Sequence, residues 1–235
     1  MKPHIQILNE YFTKELPQLK KSYKWKIPNI QGFSECGKDN YDSNVNLKNF
    51  LNDKWSNSND DKDKLNLATV IVKDWGGVKN NKQETLIGYI KELDKHNPDT
   101  PLKGVASYSK IFSITDLEKF AIYDARVAAC LNAIQFNSGI RDGVAFNYIP
   151  GRNGVTGDAT KRSGFVYQEN FKIKNLTTNS GWQKLPKNET YSLYLETLNK
   201  CLESFKDYQL YDLEMTLFSN AENECKKALA KVKNA

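Results

Sequence analysis

Residues 104–134 read GVASYSKIFSITDLEKFAIYDARVAACLNAI. A run of small residues beginning at Gly104 leads to Lys110, and a short apolar run follows. Asp124 then opens ARVAACLNAI, a run with the composition of a buried helix. Read singly, these groups are ordinary. Asp124 is an N-cap, worth about 1 kcal/mol, and Lys110 is a solvated residue in a first helical turn. Their order is what gives the stretch its interest, and the rest of the chain is read outward from it.

Upstream, Gln83 to Lys95 repeats apolar residues at Leu86, Ile87, Ile90 and Leu93, an amphipathic helix that Asn97-Pro98-Asp99 ends in a turn. Residues 65–75 (LNLATVIVKDW) are strongly apolar. A strand is conceivable there, but the helical flanks favour a buried helix, which Gly76-Gly77 stops. Residues 57–64 (NSNDDKDK) read as a loop leading into an N-cap, and residues 45–55 as a helix. Residues 23–44 form a connector that Trp25, Phe33 and Tyr41 can dock. Ile5, Leu8, Phe12, Leu16 and Leu19 form a helical stripe, which Pro17 kinks or shortens.

Downstream, residues 139–187 lose periodicity and become rich in Gly, Asn, Thr and Lys. They read as a long basic insertion with a small hairpin around residues 164–173, and loops of this length are usually functional or mobile. Its Arg141, Arg152, Lys161, Arg162, Lys172 and Lys174 alternate with Phe165, Tyr167, Phe171 and Trp182. That mixture suits gripping a nucleic-acid backbone and wedging a base step, or equally a flexible Lys-rich loop. Two helices follow, over residues 189–205 and 211–232.

The chain has 235 residues and a formal charge of +6, enough for one sizeable core or two small lobes sharing a cleft. The mild basicity suits nucleic acid, though lysines on solvated faces produce the same number. Four separated cysteines without a CxxC spacing argue against a metal or cluster site, and Cys130 reads as a small core residue. His4 and His96 have no partners that suggest a metal or a triad. No apolar run approaches a membrane span, so the sequence predicts a soluble, cytoplasmic protein needing no cofactor or metal.

The order Gly104-Val105, Lys110, a short helix, and Ile122-Tyr123-Asp124-Ala125-Arg126 resembles the helix-hairpin-helix DNA glycosylases, in particular their 8-oxoguanine glycosylase-like branch. A second likeness lies in Leu213-Glu214-Met215-Thr216-Leu217-Phe218-Ser219, which is similar to a segment on that family's last helix. The resemblance covers roughly residues 65–137 and 191–229. It implies an all-α fold with two helical lobes and a cleft, within a single glycosylase-like unit spanning residues 1–235. Residues 65–137 would form the hairpin lobe, residues 1–64 and 188–235 the second lobe, and residues 138–187 the insertion.

The resemblance also implies roles. Lys110 would attack the sugar C1′, and Asp124 would support the positive charge that develops there. Gly104, Ser107, Ser109 and Arg126 would hold the DNA backbone. Phe218 would stack on a flipped base whose edge Glu214 reads. Apart from the resemblance, Trp75 of Trp75-Gly76-Gly77 can line a base pocket, although such a segment is more often a helix cap with an anchored aromatic. The family carries glutamine where this chain has Glu214, and a carboxylate only accepts hydrogen bonds, so Glu214 favours a donor-bearing edge. The hairpin is longer than the family's compact form, which leaves two versions open: a lyase through Lys110, or a simple hydrolase in which Asp124 activates water. The implied partner is double-stranded DNA carrying 8-oxoguanine or another modified base, including a hypermodified base of invading phage DNA, bound by a monomer. A DNA-binding module without chemistry and a helical interaction protein are the rival readings.

Overall fold

The computed structural model describes residues 2–58 and 60–233. Among the described residues, ten α-helices carry almost all of the regular structure. α1 (Pro3–Glu15) passes through a 3-10 turn at Leu16–Gln18 into α2 (Leu19–Ser22), the break falling at Pro17 as its missing N–H requires. α3 (Asn40–Ser56) is capped by Asp39, whose side chain accepts from the Asp42 N–H. α4 (Asp61–Thr69) is capped by Asp60 in the same way, so the expected 57–64 loop is shorter and its second half is the first turn of α4. Asn59 of that loop lies outside the described residues. The apolar run after Thr69 remains helical but widens into a π-turn over Val70–Trp75.

α5 (Gln83–Leu93) and α6 (Val105–Thr115) pack against each other and are followed by α7 (Ala125–Ser138). After the insertion, α9 (Thr190–Leu202) and α10 (Leu210–Lys233) complete the fold, preceded by the short α8 (Ile173–Thr178) inside the insertion. The only paired strands among the described residues are two residues each, Val144–Ala145 alongside Gln183–Lys184 in parallel. The protein is mostly helical, as expected. No described helix is long and apolar enough to cross a membrane.

One apolar cluster runs from Leu8 and Phe12 of α1 through Ile111 and Phe112 of α6 and Leu131 of α7 to Leu213 and Leu217 of α10. The two expected lobes therefore share a continuous core. Cys130 is a fully buried member of it.

The insertion departs from expectation. The region of the predicted hairpin holds 3-10 turns at Phe165–Tyr167 and Glu169–Phe171. Phe165 and Phe171 stack on each other with centroids 4.1 Å apart, and both are fully buried against Ala129, Ala133, Cys225 and Ala228. Small residues on α7 and α10 leave a groove that the two rings fill. Trp182 is likewise buried, its indole N–H donating to the Ile140 carbonyl. These three aromatics are core residues, and none of them is free to wedge a base step.

Candidate active site

α6 sits differently from the sequence expectation. Gly104 is its N-cap, at φ +87°, a conformation that favours glycine, and a Cβ there would lie 2.1 Å from the Tyr89 hydroxyl and force that side chain to shift. The helix is already established at Val105, which puts Lys110 in its second turn with 8% of its surface exposed. Its Nζ donates to the Ala106 carbonyl at 2.6 Å. The stem crosses Gly76 at the end of the π-turn, where a Cβ would come within 2.5 Å of Lys110 Cδ. Gly76 therefore opens the channel that Lys110 occupies. Burial drives the ammonium's pKa below its usual value, and Lys48 adds to this. Asp124 and Glu214 act against the shift.

Asp124 is positioned by the extended residues before it. The Tyr123 N–H donates to Ser109 Oγ, and the hydroxyls of Tyr191 and Tyr194 donate to the carbonyls of Ala121 and Ile122 at 2.9 and 2.8 Å. Burial raises the pKa of both tyrosines, which keeps them protonated donors. Asp124 then caps α7. Both capping bonds, from the N–H groups of Arg126 and Val127, are accepted by Oδ1 at 2.9 Å, so Oδ2 takes no part in the cap.

α3 and α10 supply a buried ion pair. Lys48 Nζ lies 3.0 Å from Glu214 Oε2, with both side chains almost fully buried. The ammonium also lies over the faces of Trp75 and Tyr211, 5.4 and 5.9 Å from their centroids. Burial raises the Glu214 pKa, and Lys48 opposes the rise. One turn along α10, Phe218 meets Trp25 edge-on at 5.5 Å. The Arg126 guanidinium lies 4.9 Å from the Phe218 centroid and 3.4 Å from Glu222 Oε1.

Lys48, Lys110, Asp124, Arg126, Glu214 and Phe218 among these groups line one cavity of about 630 Å³, within the size range of small-molecule sites. Of the residues singled out in the sequence, Trp75, Lys110, Asp124, Arg126, Glu214 and Phe218 border it. Gly104, Ser107 and Ser109 do not. Ser107 is buried and its Oγ accepts from Asn81 Nδ2, while Ser109 is fully buried beneath Tyr123. The helix begins earlier than the sequence suggested and turns both side chains inward, and the Ser107 N–H is taken up by the Gly104 carbonyl at 2.8 Å. Tyr23, Trp25, Asn44 and Lys48 border the cavity without having been recognised in the sequence. For the α3 pair a signal existed: Asn44, Leu47, Lys48 and Leu51 share one inward stripe.

A larger depression of about 980 Å³ lies elsewhere, between residues 139–142 and 178–182 and the end of α10; Arg141 and Trp182 of the insertion border it, but none of the residues given a role by the resemblance does. Among the described residues, no group of three His, Cys, Asp or Glu side chains is arranged to hold a metal ion. Neither protein-family models, nor curated proteins, nor solved structures give a match to this chain.

Proposed function

We propose that the protein is a DNA glycosylase that flips a modified base into this cavity and breaks its N-glycosidic bond. The observation that carries the reading is the convergence of Lys110 and Asp124, from consecutive helices, with Glu214 and Phe218 from the far end of the chain. An aromatic wall of Tyr23, Trp25, Trp75 and Phe218 suits a base held outside the stack. Asp124 Oδ2 provides a carboxylate to stabilise an oxocarbenium-like sugar. Neutral Lys110 is the nucleophile: its amine forms a bond to C1′, the base leaves with the glycosidic electron pair, and the base takes up the proton released by the new ammonium. Ring opening gives a Schiff base, from which the 3′ phosphate can be eliminated.

The bond from Lys110 Nζ to Ala106 O favours a second version. If the amine stays on its helix, Asp124 activates water and the enzyme releases the base without cutting the strand. The target is 8-oxoguanine or another modified base, including one from phage DNA. The enzyme acts as a cytoplasmic monomer on double-stranded DNA.

Single-turnover incubation with duplexes carrying different modified bases, followed by alkali, tests the reading. Wild type should produce abasic sites on at least one duplex. Asp124→Asn should lose that release while keeping DNA affinity. DNA binding without release from any duplex would make the protein a binding module instead. A borohydride-trapped adduct that disappears in Lys110→Ala selects the lyase version.

A further inference from the structure

Three polar side chains, Asn44, Lys48 and Glu214, meet at the cavity. Asn44 is fully buried and borders the cavity. Its Nδ2 donates to the carbonyls of Trp25 and Asn40 at 2.9 and 2.8 Å. Two carbonyl acceptors fix the orientation of the amide, since the flipped form would set oxygen against oxygen. Oδ1 is thereby left as a buried acceptor with no donor. Native structures rarely tolerate such an atom, and each instance calls for an explanation such as a ligand. One turn along α3, Lys48 uses one of its three N–H groups on Glu214 Oε2. That bond is made to Oε2 and leaves Glu214 Oε1 outside the ion pair.

We propose that Asn44 is a base-selecting residue whose Oδ1 accepts a hydrogen bond from an exocyclic amino group of the flipped base, beside the Lys48–Glu214 pair. Glu214 Oε1 accepts a further N–H, and the free Lys48 donors meet a ring nitrogen or carbonyl oxygen. The assignment rests on the base-flipping reading and narrows it to amino-bearing bases, against thymine-, uracil- and hypoxanthine-like ones. An amino-bearing base supplies the donor that Oδ1 lacks, whereas a base without the amino group gains nothing there and leaves Oδ1 unpaired. The same side chain fixes the Trp25 backbone, so the amide that reads the base also holds an aromatic residue at the cavity wall.

The test compares matched bases that differ by one amino group. Duplexes carry 8-oxoguanine or 8-oxohypoxanthine, and 5-hydroxymethylcytosine or 5-hydroxymethyluracil, each opposite an abasic analogue so that the pairing energy is equal. Equilibrium binding is measured for wild type and Asn44→Ala. In at least one pair, wild type should bind the amino-bearing member roughly tenfold or more tightly, and Asn44→Ala should bring the ratio close to one. A purely structural asparagine would weaken both members alike and leave the ratio unchanged. Equal or undetectable binding by wild type in both pairs, or a ratio preserved in the variant, overturns the proposal. The wild-type comparison stands even if the variant does not fold. A binding preference without base release refutes excision and leaves the selection intact, whereas release without the preference does the reverse.

Discussion

Lys110 is pulled in two directions by its surroundings. Burial beside Gly76 disfavours its charge, while Asp124 and Glu214 favour it. Burial prevails, so the folded pKa lies below the unfolded value of about 10.4. Between those two values the unfolded chain binds more protons, and stability rises with pH. Below the folded value the full cost of burying the cation is present. Lys110→Met should therefore stabilise the protein most below the folded pKa of Lys110, with the gain shrinking from there towards pH ~10.4, as urea unfolding at several pH values would record. Covalent capture needs the neutral amine. The yield of borohydride-trapped adduct should rise with pH and level off clearly below the ordinary lysine pKa; a plateau reached only near pH ~10.4 would contradict the environment described for Lys110. Asp124 and Lys110 differ in how far the sequence reveals them. Capping is local chemistry, so the Asp124 side chain and the helix it opens can be read from five residues. The burial of Lys110 depends on Gly76, far earlier in the chain, and nothing next to Lys110 records it.

At the scale of elements, most helices were legible because their apolar spacing and Asp caps lie within one segment. The π-turn at Val70–Trp75 was not, because an apolar run looks the same in either helical form. α3 shows what pattern reading loses. A lysine on a helix reads as solvated, yet Lys48 shares its face with Leu47 and Leu51 and pairs with Glu214 of α10. Such a pair contributes little net stability against an apolar replacement, but removing one partner leaves a buried charge alone. Lys48→Met should cost about 3–5 kcal/mol in urea unfolding, and Lys48→Met combined with Glu214→Leu should recover most of it. The double variant should nevertheless lose affinity for its substrate duplex. If the double variant is as unstable as the single one, the pair is not the isolated buried unit described here. If it is stable and binds normally, the pair has no part in recognition.

At the scale of the molecule, the cavity is assembled from parts no local pattern connects. The residue 23–39 connector, α3, the π-turn, α6, α7, residues 150–156 of the insertion and α10 each supply part of its wall. The insertion was the least legible segment, because its stacked phenylalanines have no periodicity and find their groove only between α7 and α10. Its contribution to the site includes Arg152, which joins Lys48, Lys110 and Arg126 around the cavity against two carboxylates, Asp124 and Glu214. With all six groups charged, the cations lining the cavity exceed the anions by two, with Glu222 outside it offsetting part of the Arg126 charge, and a cleft walled by protein concentrates such a field. A base carrying a fixed positive charge, such as 7-methylguanine, should therefore bind and be excised at least about tenfold less efficiently than neutral 8-oxoguanine in the same duplex. The penalty also depends on Lys110. As pH rises through its lowered pKa, the excess falls from two to one, so discrimination against the cationic base should weaken over the same interval in which trapping rises. Salt should change this discrimination less than it changes overall DNA affinity, because Lys48, Lys110 and Glu214 are buried away from bulk ions, whereas Arg152 and the phosphate contacts are not. Competition binding of the two duplexes across pH and salt measures both dependences. A preference for the cationic base, or one that follows salt and ignores pH, would mean that the field of these six side chains does not govern what enters.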